Sequence, residues 1–369
     1  MTRGLESVPP PLVPVLRLGA YQLFYTGSAP SYAAVSESVD QARGVGGRKA
    51  AGLVNAVLRG LDREGGGEGR FPSFRDDPLG YLSTWGSHPR WLVERWVARY
   101  GPDGAREVVE AGNEIPPIWL RPVTGSPERA RDLLEAEGIR TEPGPPGSRT
   151  LRLPPGILPS RVLELVPGTI IQDPAASLVA EYVGAAPGEL VADLCAAPGG
   201  KGMVVAGKGA RVVAGDPSLV RLRRVRDAAG RLGLPVHLVV ARGEAPPLQE
   251  ADVVLLDVPC TGTGTLARHP DARWRLGPED PEALARVQEA ILSGTAPLVR
   301  PGGLLMYATC TLEPEENEQQ VERFLRAHPR FEPEPVRDLE GPGERVPYLR
   351  ILPGREGTDG AFAARLRRR

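Results

Sequence analysis

Cysteine is scarce in this chain. Three residues in 369 carry a thiol and none forms a Cys-x-x-Cys pair, so neither a disulfide framework nor a structural zinc site is expected. Histidine is nearly as sparse: His88, His237, His269 and His328 stand far apart and give no metal-ligand spacing. No stretch approaches the about 18 apolar residues that a membrane span needs. The amino terminus lacks the basic, apolar and cleavage-site order of a leader, so a cytoplasmic protein is expected. Lysine is confined to Lys49, Lys201 and Lys208, and arginine supplies nearly all the positive charge. The net charge of −1 excludes nucleic-acid binding through a bulk positive field but leaves room for a local basic groove. Arginine suits such a groove, because its fork grips phosphate and its plane stacks on bases. With 41% hydrophobic and 25% charged residues the chain has the composition of a globular protein with a sizeable core.

Periodicity divides the chain. Apolar residues at helical spacing predict helices over 12–24, 33–42 and 50–61, the last carrying Leu53, Val54, Val57 and Leu58. The Gly- and Glu-rich stretch 62–69 reads as a linker. Helices follow over 76–113, then a strand at Ile118–Val123. Ser126-Pro127-Glu128 opens a helix that runs to Gly138. Short strands are expected near 149–153 and 162–166, which makes a small α/β unit. From residue 174 strands and helices alternate: strands at 190–194, 211–216, 236–240, 252–257 and 303–309, with helices at 174–182, 219–232 and 279–298. That alternation predicts a doubly wound parallel sheet.

Each cysteine lies at a loop of this second half. The first strand runs into Asp193-Leu194-Cys195-Ala196-Ala197-Pro198-Gly199-Gly200-Lys201. Small residues there let backbone approach a ligand at the carboxyl end of the sheet. Asp216 closes the second strand, where an acidic side chain can hold ribose hydroxyls. The loop is neither Gly-x-Gly-x-x-Gly nor a Walker loop, so it suits a nucleoside without pyrophosphate, such as S-adenosylmethionine. The fourth strand ends at Asp257-Val258-Pro259-Cys260 and the fifth at Tyr307-Ala308-Thr309-Cys310-Thr311. The glutamates of 313–318 read mainly as an acidic first turn of a helix.

These three strings resemble motifs I, IV and VI of the RNA 5-methylcytosine methyltransferases of the RsmB/Sun family. The resemblance extends over almost the whole chain. Leu18–Phe24 and Asn55–Arg59 resemble part of that family's NusB-like amino-terminal domain. Leu352-Pro353-Gly354 and Thr358–Phe362 resemble its terminal hairpin. It implies an α/β fold: a Rossmann-like S-adenosylmethionine-dependent methyltransferase sheet over 161–369, a small α/β domain over 65–160, and a NusB-like helical segment over 1–64 that looks truncated. It implies a cytidine of 16S ribosomal RNA as substrate, unpaired or flipped, because a thiol must reach its C6 face. A monomer without metal is expected.

The roles follow from the same resemblance. Cys310 attacks C6, which raises electron density on C5, and Cys260 assists release. Asp257 meets the N3/N4 edge of the base. Lys201 holds the loop or lowers a thiol pKa. Cofactor contacts fall to Cys195, Ala196, Ala197, Pro198, Gly199, Gly200, Lys201, Asp216, Asp257 and Arg221, with Arg242 or Glu244 near the adenine. Arg268, His269, Arg273 and Trp274 are candidates for RNA contact. Rival readings are the same chemistry on transfer RNA or another ribosomal site, and an RNA-binding assembly factor without catalysis. A DNA cytosine methyltransferase would attack with the motif IV thiol, and Thr309-Cys310 argues against it. An amino-group methyltransferase would need a different string than Asp257-Val258-Pro259-Cys260.

Overall fold

In the computed structural model, which describes residues 7–27, 30–336, 340–344, 347–354 and 357–369, the chain forms two units that meet in sequence at Trp85 and Gly86. The first holds helices α1 (Val13–Phe24), α2 (Ser31–Glu64) and α3 (Pro78–Thr84). The apolar face expected between 12 and 61 is buried as one cluster: Leu12, Val15, Leu16, Val35, Val54 and Leu58. The two helices expected at 33–42 and 50–61 are the halves of α2. They are separated at Gly46 and Gly47, and Gly47 takes φ 68°, which a side chain would resist. Residues 65–85 belong to this unit rather than to the small domain.

The second unit begins with α4 (Arg90–Asn113) and a small antiparallel sheet. Strand β1 (Trp119–Pro122) pairs with β3 (Leu151–Arg152) and β4 (Thr169–Ile171), and β2 (Glu142–Pro143) pairs with β3. Helix α5 (Pro127–Ala136) starts as its sequence dictates, with Ser126 Oγ accepting from the Arg129 N–H. The strand expected at 162–166 is instead helix α6 (Pro159–Leu165). Pro159 sits at a helical first position, and the alternating Val162-Leu163-Glu164-Leu165 buries Val162 against Leu120, Leu134 and Leu151. Because β4 completes the small sheet, that sheet extends past residue 160.

The main sheet runs β10-β12-β9-β8-β5-β6-β7, with β11 paired to β12. Its strands are β5 (Leu190–Asp193), β6 (Arg211–Asp216), β7 (Val236–Val240), β8 (Ala251–Asp257), β9 (Val299–Thr309), β10 (Phe331–Pro333), β11 (Leu349–Ile351) and β12 (Ala361–Arg368). The five strands β5 to β9 are parallel, as expected. Strand β12 pairs antiparallel with β9, β10 and β11, so the sheet is mixed rather than wholly parallel.

Side chains alternate across the strands and load both faces. Val191, Val253, Leu255, Leu304 and Met306 pack with α7 (Pro174–Val183), α8 (Gly200–Gly207) and α9 (Leu219–Leu232). Ala192, Val254, Leu256, Leu305 and Tyr307 pack on the other face with α11 (Asp280–Thr295) and α12 (Glu318–Ala327). Burial on both faces explains why these strands read as continuous apolar runs. Neighbours β6 and β8 lie on opposite sides of β5. The strand order therefore reverses at β5, and a crevice opens beyond the carboxyl ends of the strands. A short helix, α10 (Ala272–Arg275), follows the loop after β8. No helix among the described residues is long and apolar enough to cross a membrane.

Candidate active site

The carboxyl ends of β5, β6 and β8 each present an aspartate: Asp193, Asp216 and Asp257. The loop after β5 is pinned to β6 by the Ala196 N–H, which donates to the Gly215 carbonyl at 3.0 Å. It turns into α8 at Gly199, whose φ of 108° and Val225 neighbour leave no comfortable room for a side chain. Gly202 lies against Asp193, where a Cβ would fall 2.6 Å from Oδ2.

A cleft of about 730 Å³ opens over these strand ends. Among the expected site residues, Cys195, Ala197, Asp216, Arg221, Asp257, Cys260 and Cys310 line it, together with Arg242 and Glu244. Ala196, Pro198, Gly199 and Gly200 build the loop without lining the cleft. Lys201 reaches it from α8 by an ion pair, its Nζ 2.7 Å from Asp257 Oδ2. Asp216 is buried and accepts from the Ser218 N–H at 2.8 Å and from the Arg221 guanidinium at 2.7 Å. The two expected cofactor contacts thus bind each other, while Arg221 stays more than half exposed.

Burial pushes the Cys195 thiol well up, reinforced by Asp193, Asp257, Asp216 and Glu244 around it, and keeps it protonated. Burial likewise lifts Asp193 to about 7, with Asp257 adding repulsion. Burial opposes the charge on Lys201, but Asp257 outweighs it and holds the ammonium above its ordinary value.

The remaining thiols meet. Cys260 follows β8 and Cys310 follows β9, and the adjacent parallel strands bring their Sγ atoms to 3.4 Å. A hydrogen bond from Cys260 draws the Cys310 thiol below its ordinary value, against burial and the nearby Asp257, with Lys201 assisting. The same bond, followed by burial, pushes the Cys260 thiol up. One sulfur is thereby favoured as thiolate and the other as thiol.

The glutamates after Cys310 correct the expectation of an acidic first helical turn over 313–318. Helix α12 begins only at Glu318, and Glu313 and Glu316 are buried in the turn before it. Glu313 accepts from Arg95 and Trp96 of α4. Glu316 accepts from the Thr261 N–H at 2.9 Å, from the Thr261 hydroxyl and from Gln288 Nε2. Thr261, Gln288, Thr311 and Glu316 escaped sequence reading. Their only signal was position, two of them flanking Cys260 and Cys310.

Of the four RNA candidates, Arg273 is corrected and Arg268 is tied into ion pairs. Arg273 is 3% exposed, and its guanidinium donates to the carbonyls of Ser87 and Gly112 and to Asn113 Oδ1. Arg268 is clamped between Asp173 and Asp359, at 2.8 and 2.7 Å. Arg273 is thus a structural cation, while Arg268 is held by two ion pairs with its side chain still 27% exposed. His269 and Trp274 are exposed, Trp274 at 60%.

Family models agree with this arrangement. Residues 182–367 match the model for the 16S rRNA methyltransferase RsmB/F. Residues 1–63 match the NusB family, and 88–156 match the RsmF/B-like ferredoxin-like domain. The chain is 35% identical to the probable ribosomal RNA small subunit methyltransferase B of Bacillus subtilis, covering 99% of this chain and 84% of that protein. It is also 35% identical to ribosomal RNA small subunit methyltransferase B of Klebsiella pneumoniae, covering 96% of this chain and 81% of that one. Among solved structures it resembles a methyltransferase homolog from Pyrococcus horikoshii, with TM-score 0.67 and 26% identity over 80% of this chain and 99% of that chain. The chain therefore belongs to the RsmB/F family of S-adenosylmethionine-dependent ribosomal RNA methyltransferases.

Proposed function

We propose that the chain methylates C5 of a cytidine in 16S ribosomal RNA through a covalent adduct on Cys310 that is resolved with help from Cys260. The pairing of the two sulfurs at 3.4 Å, in the cleft that the Cys195 loop also borders, carries this reading. The cleft fits the cofactor. Asp216 stands on its wall at the end of β6, where a carboxylate can hold ribose hydroxyls, and Gly199 and Gly202 let the loop backbone approach a ligand. Bound there, S-adenosylmethionine supplies a methyl group on a positively charged sulfur.

The chain's own groups do the rest. Cys310 Sγ adds as thiolate to C6 of the base, and the electron pair of the C5–C6 bond moves toward C5. Asp257, held by Lys201, meets the N3/N4 edge and orients the base by accepting from its amino group. After C5 has gained its methyl group, a base takes the C5 proton. The pair it leaves re-forms C5–C6 and expels the Cys310 thiolate, which Cys260 stabilises by donating its S–H. Exposed Trp274 and His269 are proposed to contact the RNA, Trp274 by stacking on an unpaired base. The intact thiol pair favours this over a non-catalytic assembly factor.

The test is incubation with labelled S-adenosylmethionine and unmodified 16S RNA, followed by denaturing gels. Cys310→Ala is expected to abolish transfer, and Cys260→Ala to leave a persistent protein–RNA adduct. An adduct that disappears with Cys260→Ala would reverse the two roles. Transfer to transfer RNA but not to 16S RNA would keep the chemistry and change the substrate.

A further inference from the structure

We propose that Glu316 is a positioning residue for adduct release, holding the Cys260 loop so that its sulfur stays against Cys310. The inference rests on the two-thiol reading above and adds to it the group that sets the geometry.

Cys260 is restrained from both sides by this one carboxyl. On its carboxyl side, Thr261 donates to Glu316 with its backbone N–H at 2.9 Å and with its hydroxyl. On its amino side, the Pro259 carbonyl accepts from Gln288 Nε2 at 2.9 Å, and the same Nε2 donates to Glu316 Oε1 at 2.9 Å. Glu316 is also anchored to the Cys310 strand. Its backbone carbonyl accepts from the Tyr307 hydroxyl, whose oxygen lies 2.9 Å from Gln288 Oε1. The Thr261 and Thr311 hydroxyls stand 2.6 Å apart and close the circuit beside Cys310.

A packing role alone does not account for this arrangement. The Glu316 residue is 0% exposed, and burying a carboxyl is costly unless its lone pairs are met. Here they are met almost wholly by the motif IV loop and by the helix residue that reaches the loop's other end. Among the described residues, Cys260 Sγ hydrogen-bonds with the Cys310 sulfur and the Cys310 N–H, both at 3.4 Å. Sulfur is a weak donor and a weak acceptor, so the loop's backbone, and hence Glu316, decides where the thiol sits. Glutamine at 316 keeps the circuit: its oxygen accepts from Thr261 N–H and Gln288, its amide donates to the Thr261 hydroxyl, and that hydroxyl turns to Thr311. Alanine leaves the Thr261 N–H without its acceptor and the Gln288 amide with Pro259 alone.

The experiment is single-turnover methylation of unmodified 16S RNA, with free methylated RNA and covalent adduct read from one denaturing gel. Glu316→Ala is expected to keep adduct formation and slow release by about 10- to 100-fold, the scale of a catalytic group displaced by about 1 Å. Glu316→Gln is expected to release at close to the wild-type rate. Thr261→Val removes one donor to Glu316 with little change of shape, and decides the matter if Glu316→Ala fails to fold; its release is expected to slow while adduct formation persists. Release at the wild-type rate in folded Glu316→Ala or in Thr261→Val overturns the proposal, as does an equal loss of adduct formation and release. Cys260→Ala separates the two levels of the argument. If it traps adduct and the Glu316 and Thr261 variants do not, only the positioning role falls. If it traps none while Cys310→Ala still transfers methyl groups, the two-thiol reading falls first.

Discussion

Cys260 Sγ lies 3.4 Å from Cys310 Sγ, at the ends of strands that are neighbours in the sheet. The contact makes the two thiols unequal, because the donated hydrogen bond favours charge on Cys310 and disfavours it on Cys260. Iodoacetamide reacts with thiolates, so alkylation should label Cys310 first and leave Cys195, held up by burial, unlabelled over the same pH range. In Cys260→Ala the hydrogen bond is gone, and the midpoint of Cys310 alkylation should move to higher pH. Rates measured across pH by mass spectrometry check this; an unmoved midpoint means the sulfur–sulfur contact does not tune Cys310.

The ion pair between Lys201 and Asp257 acts on the same thiol with opposite signs. Lys201 favours the Cys310 thiolate and Asp257 repels it. Lys201→Met should raise the alkylation midpoint, and Asp257→Asn should lower it. Asp257→Asn also leaves a buried ammonium without its partner, so it should lose about 1–3 kcal/mol of stability. Denaturant unfolding beside the alkylation series measures both effects. Midpoints that shift in the same direction would contradict the electrostatic account.

What the sequence disclosed about this site depended on range. Strands β5, β6, β8 and β9 were legible because burial on both faces writes an uninterrupted apolar run, and their terminal residues then fell together by the rules of parallel sheets. The Cys195, Cys260 and Cys310 loops were legible for the same reason. Val162–Val166 misled, since a short apolar run fits either a strand or a helix face, and Pro159 decided for α6. Glu313 and Glu316 read as a helix start because acidic residues favour that place. Their actual partners, Arg95 and Thr261, lie far along the chain and leave no mark near residue 313. Arg273 was misread likewise, since Ser87, Gly112 and Asn113 meet it only in the fold.

Arg273 and Trp274 are sequence neighbours with opposite expected phenotypes. Arg273→Ala removes a buried guanidinium and strands several acceptors, so it should cost about 2–3 kcal/mol of stability. The folded fraction should bind RNA as well as wild type does. Trp274→Ala should leave the melting temperature nearly unchanged, because the ring is 60% exposed. If the ring stacks on an unpaired base, its loss should weaken RNA binding by about 1–3 kcal/mol. Thermal melting and filter binding on both variants distinguish these outcomes. Full RNA affinity in Trp274→Ala would remove the residue from the RNA surface.

Glu316 should also leave a signature in the pH dependence of stability. Burial lifts its carboxyl to about 7, with the Thr261 and Gln288 hydrogen bonds opposing the rise. A group whose folded value exceeds its unfolded one stabilises the fold below the unfolded value, and that contribution is lost as pH rises through the folded value. Wild type should therefore lose stability relative to Glu316→Gln between about pH 4.5 and 7, the interval bounded by an ordinary carboxyl and the raised one. Asp193, lifted to about 7 as well, titrates in both proteins and cancels in the difference. Paired denaturant curves at pH 5, 6, 7 and 8 supply the comparison. A difference that stays flat across them would place the Glu316 carboxyl in the ordinary range, meaning that its hydrogen bonds fully offset burial. A difference that widens up to about pH 7 would mean that wild type bears a growing cost for ionising this carboxyl while it braces the Cys260 loop.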